Sequence, residues 1–73
     1  MTNATILSIQ VTDDGDYAIK AQKGTWTKVF IVDTTLANAK AILAVSLAAA
    51  SMNETVTIEF SGSYISNMYL VCE

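Results

Sequence analysis

The chain has 73 residues, with four lysines, no arginine and seven acidic residues, for a net charge of −3. An acidic chain without arginine lacks the basic stripe that binds phosphates, so a nucleic-acid partner is disfavoured. Because it has a single cysteine and no histidine, neither an intrachain disulfide nor a usual zinc site can stabilise so small a domain, and partner subunits are the remaining route.

Three strands are predicted in the first half of the chain. Residues 13–16 (Asp-Asp-Gly-Asp) have turn chemistry, and a second turn is expected at residues 23–24. Strands are therefore expected before the first turn, between the two turns, and from residue 25 to residue 32. Period-two alternation in the first strand predicts four side chains on one face, namely Thr5, Leu7, Ile9 and Val11.

The second half begins with a predicted helix. Asp33, Thr34 or Thr35 is expected to cap it, because a side-chain oxygen accepts from the free N–H groups of the first turn. The helix is predicted over residues 36–52, which are mostly Ala and Leu, and it ends at Asn53. Two further strands follow at residues 55–60 and 64–72. The chain is thus predicted to be one mostly β domain over residues 1–73, with the order β-β-β-α-β-β.

The predicted helix has no polar side. At 3.6 residues per turn one stripe holds Leu36, Ala39, Leu43, Leu47 and Ala50, yet the other sides are also apolar, and Lys40 is the only charge. The stretch is too short and too interrupted to span a membrane, so no membrane insertion is expected. Two explanations remain: the helix covers the sheet and meets other copies of the chain, or its alanine side is exposed to water. The first predicts a homo-oligomer.

Several segments resemble the B subunits of bacterial toxins, most closely the Shiga-type B subunit and more loosely the subtilase-type and pertussis-like ones. The acidic turn is followed by an aromatic residue and an Ile-Lys pair at residues 17–20, and Phe30 precedes Leu36 by six residues, as in that family. Residues 53–60 (Asn-Glu-Thr-Val-Thr-Ile-Glu-Phe) are similar to the family's strand after the helix. The resemblance covers nearly the whole chain and implies an OB-fold, a five-stranded Greek-key barrel with a helix between its third and fourth strands.

The resemblance also implies an assembly and a ligand. It predicts a secreted bacterial protein that forms a homopentamer, with the first and last strands of neighbouring barrels paired edge to edge. The ring binds cell-surface glycans through many weak sites, and a separate catalytic A chain is a possible partner. The positions expected to line the pore or the subunit interface are Leu36, Asn38, Lys40, Ala41, Ala44, Val45, Ala48 and Met52.

The chain departs from the family at three places. Cys72 alone cannot supply the disulfide of the Shiga-type subunit. Thr34 stands where that family has a sugar-stacking Trp, and Ala18 stands where it has a Thr after the acidic turn. The fold is therefore expected to be shared without the specific glycan pocket.

Six residues are candidates for binding a glycan, because aromatic faces stack on sugar C–H patches while carboxylates and amides accept from hydroxyls. They are Asp13, Asp14, Asp16, Trp26, Tyr64 and Asn67. Each also has a structural explanation: Trp26 packs on the barrel or in an interface, and the aspartates solvate a turn.

An enzyme is not expected, since the chain has no histidine, no arginine, no nucleophile–base pair and no phosphate loop. No cofactor or metal is expected either. The main alternative is a structural or interaction protein that forms the same ring without a sugar site. The N-terminus lacks a signal-peptide pattern, so the chain is either a secreted or periplasmic mature form or a cytoplasmic protein.

Overall fold

The computed structural model describes residues 1–70 and contains five strands and one α-helix. The elements are β1 (Ala4–Val11), β2 (Tyr17–Lys23), β3 (Trp26–Val32), α1 (Ala39–Met52), β4 (Thr55–Ser61) and β5 (Tyr64–Leu70). The predicted order β-β-β-α-β-β is confirmed. The last two residues of the predicted fifth strand, and with them Cys72, lie outside the described residues.

The strands form a closed barrel in the order β1-β2-β3-β5-β4. All neighbours are antiparallel except β3 and β5, which meet in parallel at Ile31 and Tyr64. Inside the barrel the rings of Phe30 and Phe60 lie 4.8 Å apart at 57°, within the range of favourable tilted aromatic pairs. Fully buried aliphatic side chains fill the rest of the core, chiefly Ile19, Ile42, Ile58, Ile65, Val32 and Val56.

The predicted face of β1 is wrong because the strand contains a bulge. The register with β2 shifts between Ile6 and Ser8, which leaves Leu7 as the extra residue. An extra residue reverses which side chains point inward. Ala4 and Ile6 are therefore buried before the bulge, whereas Ile9 packs against the core after it and Leu7 is 46% exposed.

The helix begins three residues later than predicted, at Ala39. None of the three predicted caps is used: Asn38 holds the cap position without a side-chain capping bond, and Asp33 accepts instead from Thr35 in a separate turn. The predicted end is confirmed. Asn53 takes a left-handed conformation (φ 56°), which asparagine tolerates better than most residues.

The helix buries a different stripe from the predicted one. Its buried residues are Ala39, Ile42, Ser46 and Ala49, and they pack toward β1 and β5. Leu47 from the predicted stripe is 52% exposed. Of the residues predicted to line the pore, Asn38, Val45 and Ala48 are partly buried. The others are exposed, namely Leu36 before the helix and Lys40, Ala41, Ala44 and Met52 within it.

The exposed, outward side of α1 is almost free of charge. Lys40 is its only charged residue, and Ser51 its only hydroxyl. The sequence predicted a helix without a polar side, and in the structure the exposed surface of α1 is indeed mostly apolar. Within residues 1–70, no helix has both the length and the apolar character that crossing a bilayer requires.

Candidate functional site

The acidic loop between β1 and β2 is closed by its own hydrogen bonds. The backbone N–H of Thr12 donates to the carbonyl of Asp16 at 2.8 Å, and the Thr12 hydroxyl accepts from the Asp16 N–H at 3.1 Å. Gly15 takes φ +86°, a backbone conformation that residues other than glycine rarely adopt. Asp13 and Asp14 are exposed at the tip, so two of the predicted carboxylates face solvent from a structured loop.

The third carboxylate joins two loops. Asp16 Oδ1 accepts from both the N–H and the hydroxyl of Thr34, each at 3.3 Å. Next to it, Asp33 Oδ1 accepts from the Thr35 N–H at 2.9 Å and the Thr35 hydroxyl at 2.7 Å. These bonds, led by the backbone one, lower the pKa of Asp33 from its ordinary value. Asp16 is thus engaged in a structural contact with Thr34.

Trp26 lies at the far end of the barrel from the acidic loop. It pairs with Lys23 across the two-residue turn that joins β2 to β3, and it is 49% exposed. The acidic loop adjoins the opposite end of β2, which is about 20 Å away at the rise of an extended strand. Within one chain, Trp26 and the three aspartates therefore belong to different surfaces.

The two candidates on β5 also differ in their surroundings. Asn67 donates its side-chain N–H to Glu59 Oε1 at 3.0 Å, so part of its polar capacity is used within the β4–β5 pair. Tyr64 is 57% exposed and stands beside Ile31 where β5 meets β3. Through Ile31, Tyr64 belongs to the same row of strand partners as Ala18.

A groove of about 240 Å³ runs over the outer face of β1, β2 and β3. Two rows of residues, defined by strand register, cross this face. One row contains Gln10, Ala18, Ile31 and Tyr64, and the other contains Ser8, Lys20 and Val29. The lining residues are Ser8, Gln10, Ala18, Lys20 and Val29.

The groove combines a small apolar floor with polar walls. Ala18 is 6% exposed although it points away from the barrel interior, so the residues around it rise above its methyl group. An amide, a hydroxyl and an ammonium group are available from Gln10, Ser8 and Lys20. A ligand in the groove would meet hydrogen-bond donors, hydrogen-bond acceptors and one positive charge. Tyr64 stands at the end of the row that contains Gln10 and Ala18.

Sequence reasoning missed the groove because no single segment carries it. Ser8, Lys20 and Val29 are about 10 residues apart along the chain and become neighbours only through the register. The bulge at Leu7 also sets which β1 side chains share the outer face. The sequence offered one indication, the small residue Ala18 between the larger Tyr17 and Ile19. It can be interpreted as the floor of a groove only when its neighbours on β1 and β3 are known.

Nothing in the described part of the chain suggests a metal centre. No group of three or more His, Cys, Asp or Glu side chains among residues 1–70 is arranged to hold a metal ion. Every buried side-chain N or O atom in the same range has a hydrogen-bond partner.

No protein-family model, no curated protein and no solved structure matches the chain.

Proposed function

We propose that this barrel is an OB-fold. The strand order β1-β2-β3-β5-β4, the parallel contact between β3 and β5, and the helix between β3 and β4 all support the assignment. OB-folds bind oligosaccharides and oligonucleotides on the face of their second and third strands and through adjoining loops. The groove lies on that face. The acidic charge of the chain favours a saccharide over a nucleic acid.

We propose further that the protein is a non-catalytic, self-assembling module that binds cell-surface glycans. The observation that carries the proposal is the outer-face groove, in which a small apolar floor is bordered by an amide, a hydroxyl and an ammonium group. A sugar ring needs this combination, because its hydroxyls exchange hydrogen bonds while its C–H patch covers an apolar surface. The exposed ring of Tyr64 beside Ile31 adds a stacking surface at one end.

Self-assembly is proposed from the outward side of α1. Ala41, Ala44, Leu47 and Met52 are exposed there in a single chain, and an apolar helix surface of this kind is typical of an interface. We propose a homopentamer, as in the toxin B subunits that the sequence resembles. A shallow groove binds one sugar weakly, and several grooves in one ring would increase the overall affinity by avidity. Secretion and a catalytic partner chain belong to the same proposal.

The second candidate function is a ring-forming interaction protein without a sugar site. It is favoured by the positions of the aspartates and Trp26, which lie at opposite ends of β2, and by the engagement of Asp16 with Thr34. In that case the polar loops have structural roles only.

Glycan-array binding tests the glycan proposal. Wild-type protein is expected to bind a subset of glycans, and Ala18→Leu, which fills the floor, is expected to abolish binding without changing assembly. Lys20→Met should weaken binding by removing the ammonium group while keeping the side-chain length. The matched control is Glu59→Gln on β4, which keeps an acceptor for Asn67 and lies outside the groove.

Two outcomes would count against the glycan proposal. An array without any bound glycan would favour the interaction protein. Binding that survives Ala18→Leu but is lost in Trp26→Ala or Asp16→Ala would move the site from the groove to the β2–β3 turn or to the acidic loop.

A further inference from the structure

Two strands of the barrel have open edges over part of their length. On the side away from β2, β1 pairs with β4 only at Ala4 and Thr5, so the segment 7–11 has no strand neighbour there among residues 1–70. On the side away from β2, β3 meets β5 only at Ile31, which leaves the segment 26–29 similarly open in the described chain. Open edges of this kind are templates for pairing with another strand.

The backbone groups at these edges follow from the ladder pattern. In an antiparallel pair, successive residues alternate between pointing their N–H and C=O toward the partner strand and pointing them away. The Ile31 N–H donates to Ser63 on the side away from β2, so Val29 and Thr27 also direct their backbone groups to that side. The Thr12 N–H donates to Asp16 on the β2 side. Val11 and Ile9 therefore direct their backbone N–H and C=O groups to the side away from β2.

The two open edges match each other in length and in charge. Each presents two outward-facing residues that are two positions apart. The β1 edge leads directly into three aspartates at residues 13–16, whereas the hairpin of residues 17–32, which contains the β3 edge, has three lysines and no acidic residue. Exposed apolar side chains accompany both edges, with Val11 69%, Val29 51% and Trp26 49% exposed.

We propose that the outer part of β1 in one copy of the chain pairs antiparallel with the open part of β3 in the next copy. This inference rests on the self-assembly in the proposed function and specifies its interface. In the register that satisfies all four outward-facing residues, Val11 lies opposite Thr27 and Ile9 lies opposite Val29 of the second copy. That register brings Asp13 and Asp14 to the β2–β3 turn of the second copy, beside Lys23.

Charge selects the antiparallel orientation. Parallel pairing would bring the acidic loop of one copy toward Asp16 and Asp33 of the other, at the end of β3 where both carboxylates lie, and like charges in contact are unfavourable. The contact uses different surfaces on the two copies, so it is heterologous, and repetition produces a ring if the rotation closes. It differs from the pairing of first and last strands that the toxin resemblance implies.

Proline substitution tests the edges separately. Val11→Pro and Val29→Pro each remove one backbone N–H that the inference places in the ladder between subunits. Neither N–H points toward β2 within the chain, and proline is tolerated on edge strands. Native mass spectrometry is expected to show loss of the wild-type oligomer in both variants, while circular dichroism retains the wild-type spectrum. Loss in Val11→Pro with a wild-type oligomer in Val29→Pro would overturn the inference in favour of another partner for β1. A monomeric wild-type protein would overturn self-assembly itself.

A disulfide tests the register. Residues opposite each other in a hydrogen-bonded antiparallel pair have Cα atoms about 5.5 Å apart, which is compatible with a disulfide. In a Cys72→Ser background, the double variant Val11→Cys, Thr27→Cys is expected to form covalent multimers on oxidation, whereas Val11→Cys alone gives at most a covalent dimer. Covalent multimers at wild-type oligomer size would support the proposed pairing. Their absence in an assembled double variant would overturn it.

Discussion

The carboxylate of Asp16 accepts two hydrogen bonds from Thr34, one from the backbone N–H and one from the hydroxyl, both 3.3 Å long. This contact ties the acidic loop to the connection between β3 and α1. The two segments are 18 residues apart in the chain but lie side by side because Tyr17 pairs with Val32 at the ends of β2 and β3, and the Asp16 side chain adds a contact just beyond that ladder.

Removing that contact should cost stability modestly. We expect Asp16→Ala to lower the free energy of unfolding by about 0.5–1.5 kcal/mol, the usual net contribution of a hydrogen bond, and toward the lower end because both bonds are long and exposed. Asp16→Asn keeps an acceptor oxygen and should lose less. Urea unfolding monitored by circular dichroism measures both variants, and equal losses would indicate that the negative charge, not the acceptor, matters.

Asp33 should show a lowered pKa that depends on Thr35. Its pKa is lowered by the Thr35 N–H bond first and the Thr35 hydroxyl bond second. We expect Thr35→Val to raise the Asp33 pKa only part of the way toward the ordinary value of 3.8, because the backbone bond remains. A carboxyl-detected NMR titration of wild type and variant measures the shift directly.

The same group gives stability a defined pH dependence. Because the pKa of Asp33 is lower in the folded state, its contribution is fully present above the unfolded value, near 3.8, and is lost as pH falls through the folded pKa. Asp33→Asn should remove this part of the acid-induced loss. Urea unfolding in a pH series from neutral to below 3 would show the two curves converging at low pH. Parallel curves would contradict the assignment.

The positions of the strands and the helix were predictable from the sequence, whereas the side that β1 or α1 buries was not. Turn residues and alternation locate the strands, and the run from Ala39 to Met52 has strong helix propensity. The bulge at Leu7 was missed although the adjacent apolar residues Ile6 and Leu7 interrupt the alternation there, because such an interruption does not by itself indicate an extra residue. Its presence follows from how β1 closes the barrel, and closure depends on all five strands together.

The candidate site was less predictable than the fold for a related reason. Individual side chains such as Tyr64 and Asp16 were identifiable from residue type. Their neighbours were not, because the groove around Ala18 depends on the register of three strands and the Asp16–Thr34 contact joins two distant loops. Helix burial shows the same limit: Leu47 is exposed and Ser46 is buried, since the orientation of α1 is determined by the barrel it covers.

Ser46 should tolerate loss of its hydroxyl. It is fully buried, and its Oγ lies 2.9 Å from the carbonyl oxygens of both Ile42 and Leu43 in the same helix, which share its one hydroxyl hydrogen. Such back-bonding slightly destabilises helices, so Ser46→Ala should change the free energy of unfolding by less than about 1 kcal/mol, because the hydroxyl is lost but helix propensity is gained. Ser46→Leu should cost about 1–3 kcal/mol by overpacking. Thermal and urea unfolding compare the two.

Lys28 should stabilise the barrel through its charge as well as its stem. Its Nζ lies 5.6 Å from the ring centre of Phe30 and 5.4 Å from that of Phe60. Lys28→Met keeps the apolar stem and removes the cation, so we expect a loss of about 0.5–1 kcal/mol. Phe60→Leu removes one of the two rings, and the further effect of Lys28→Met should be smaller in that background. A double-mutant cycle by urea unfolding gives the coupling, and zero coupling would contradict a cation–π contact.

The outward side of α1 should be needed for assembly but not for folding. Ala44 lies at the centre of that side and is exposed in the single chain, so Ala44→Glu places a charge in the proposed interface without disturbing the barrel core. We expect monomers by native mass spectrometry with unchanged circular dichroism. The matched control is Ala50→Glu, which makes the same change at another exposed position of the helix, about 120° further round. An oligomer that survives Ala44→Glu would mean that α1 faces solvent in the assembly, and the strand edges alone would then have to hold the subunits together.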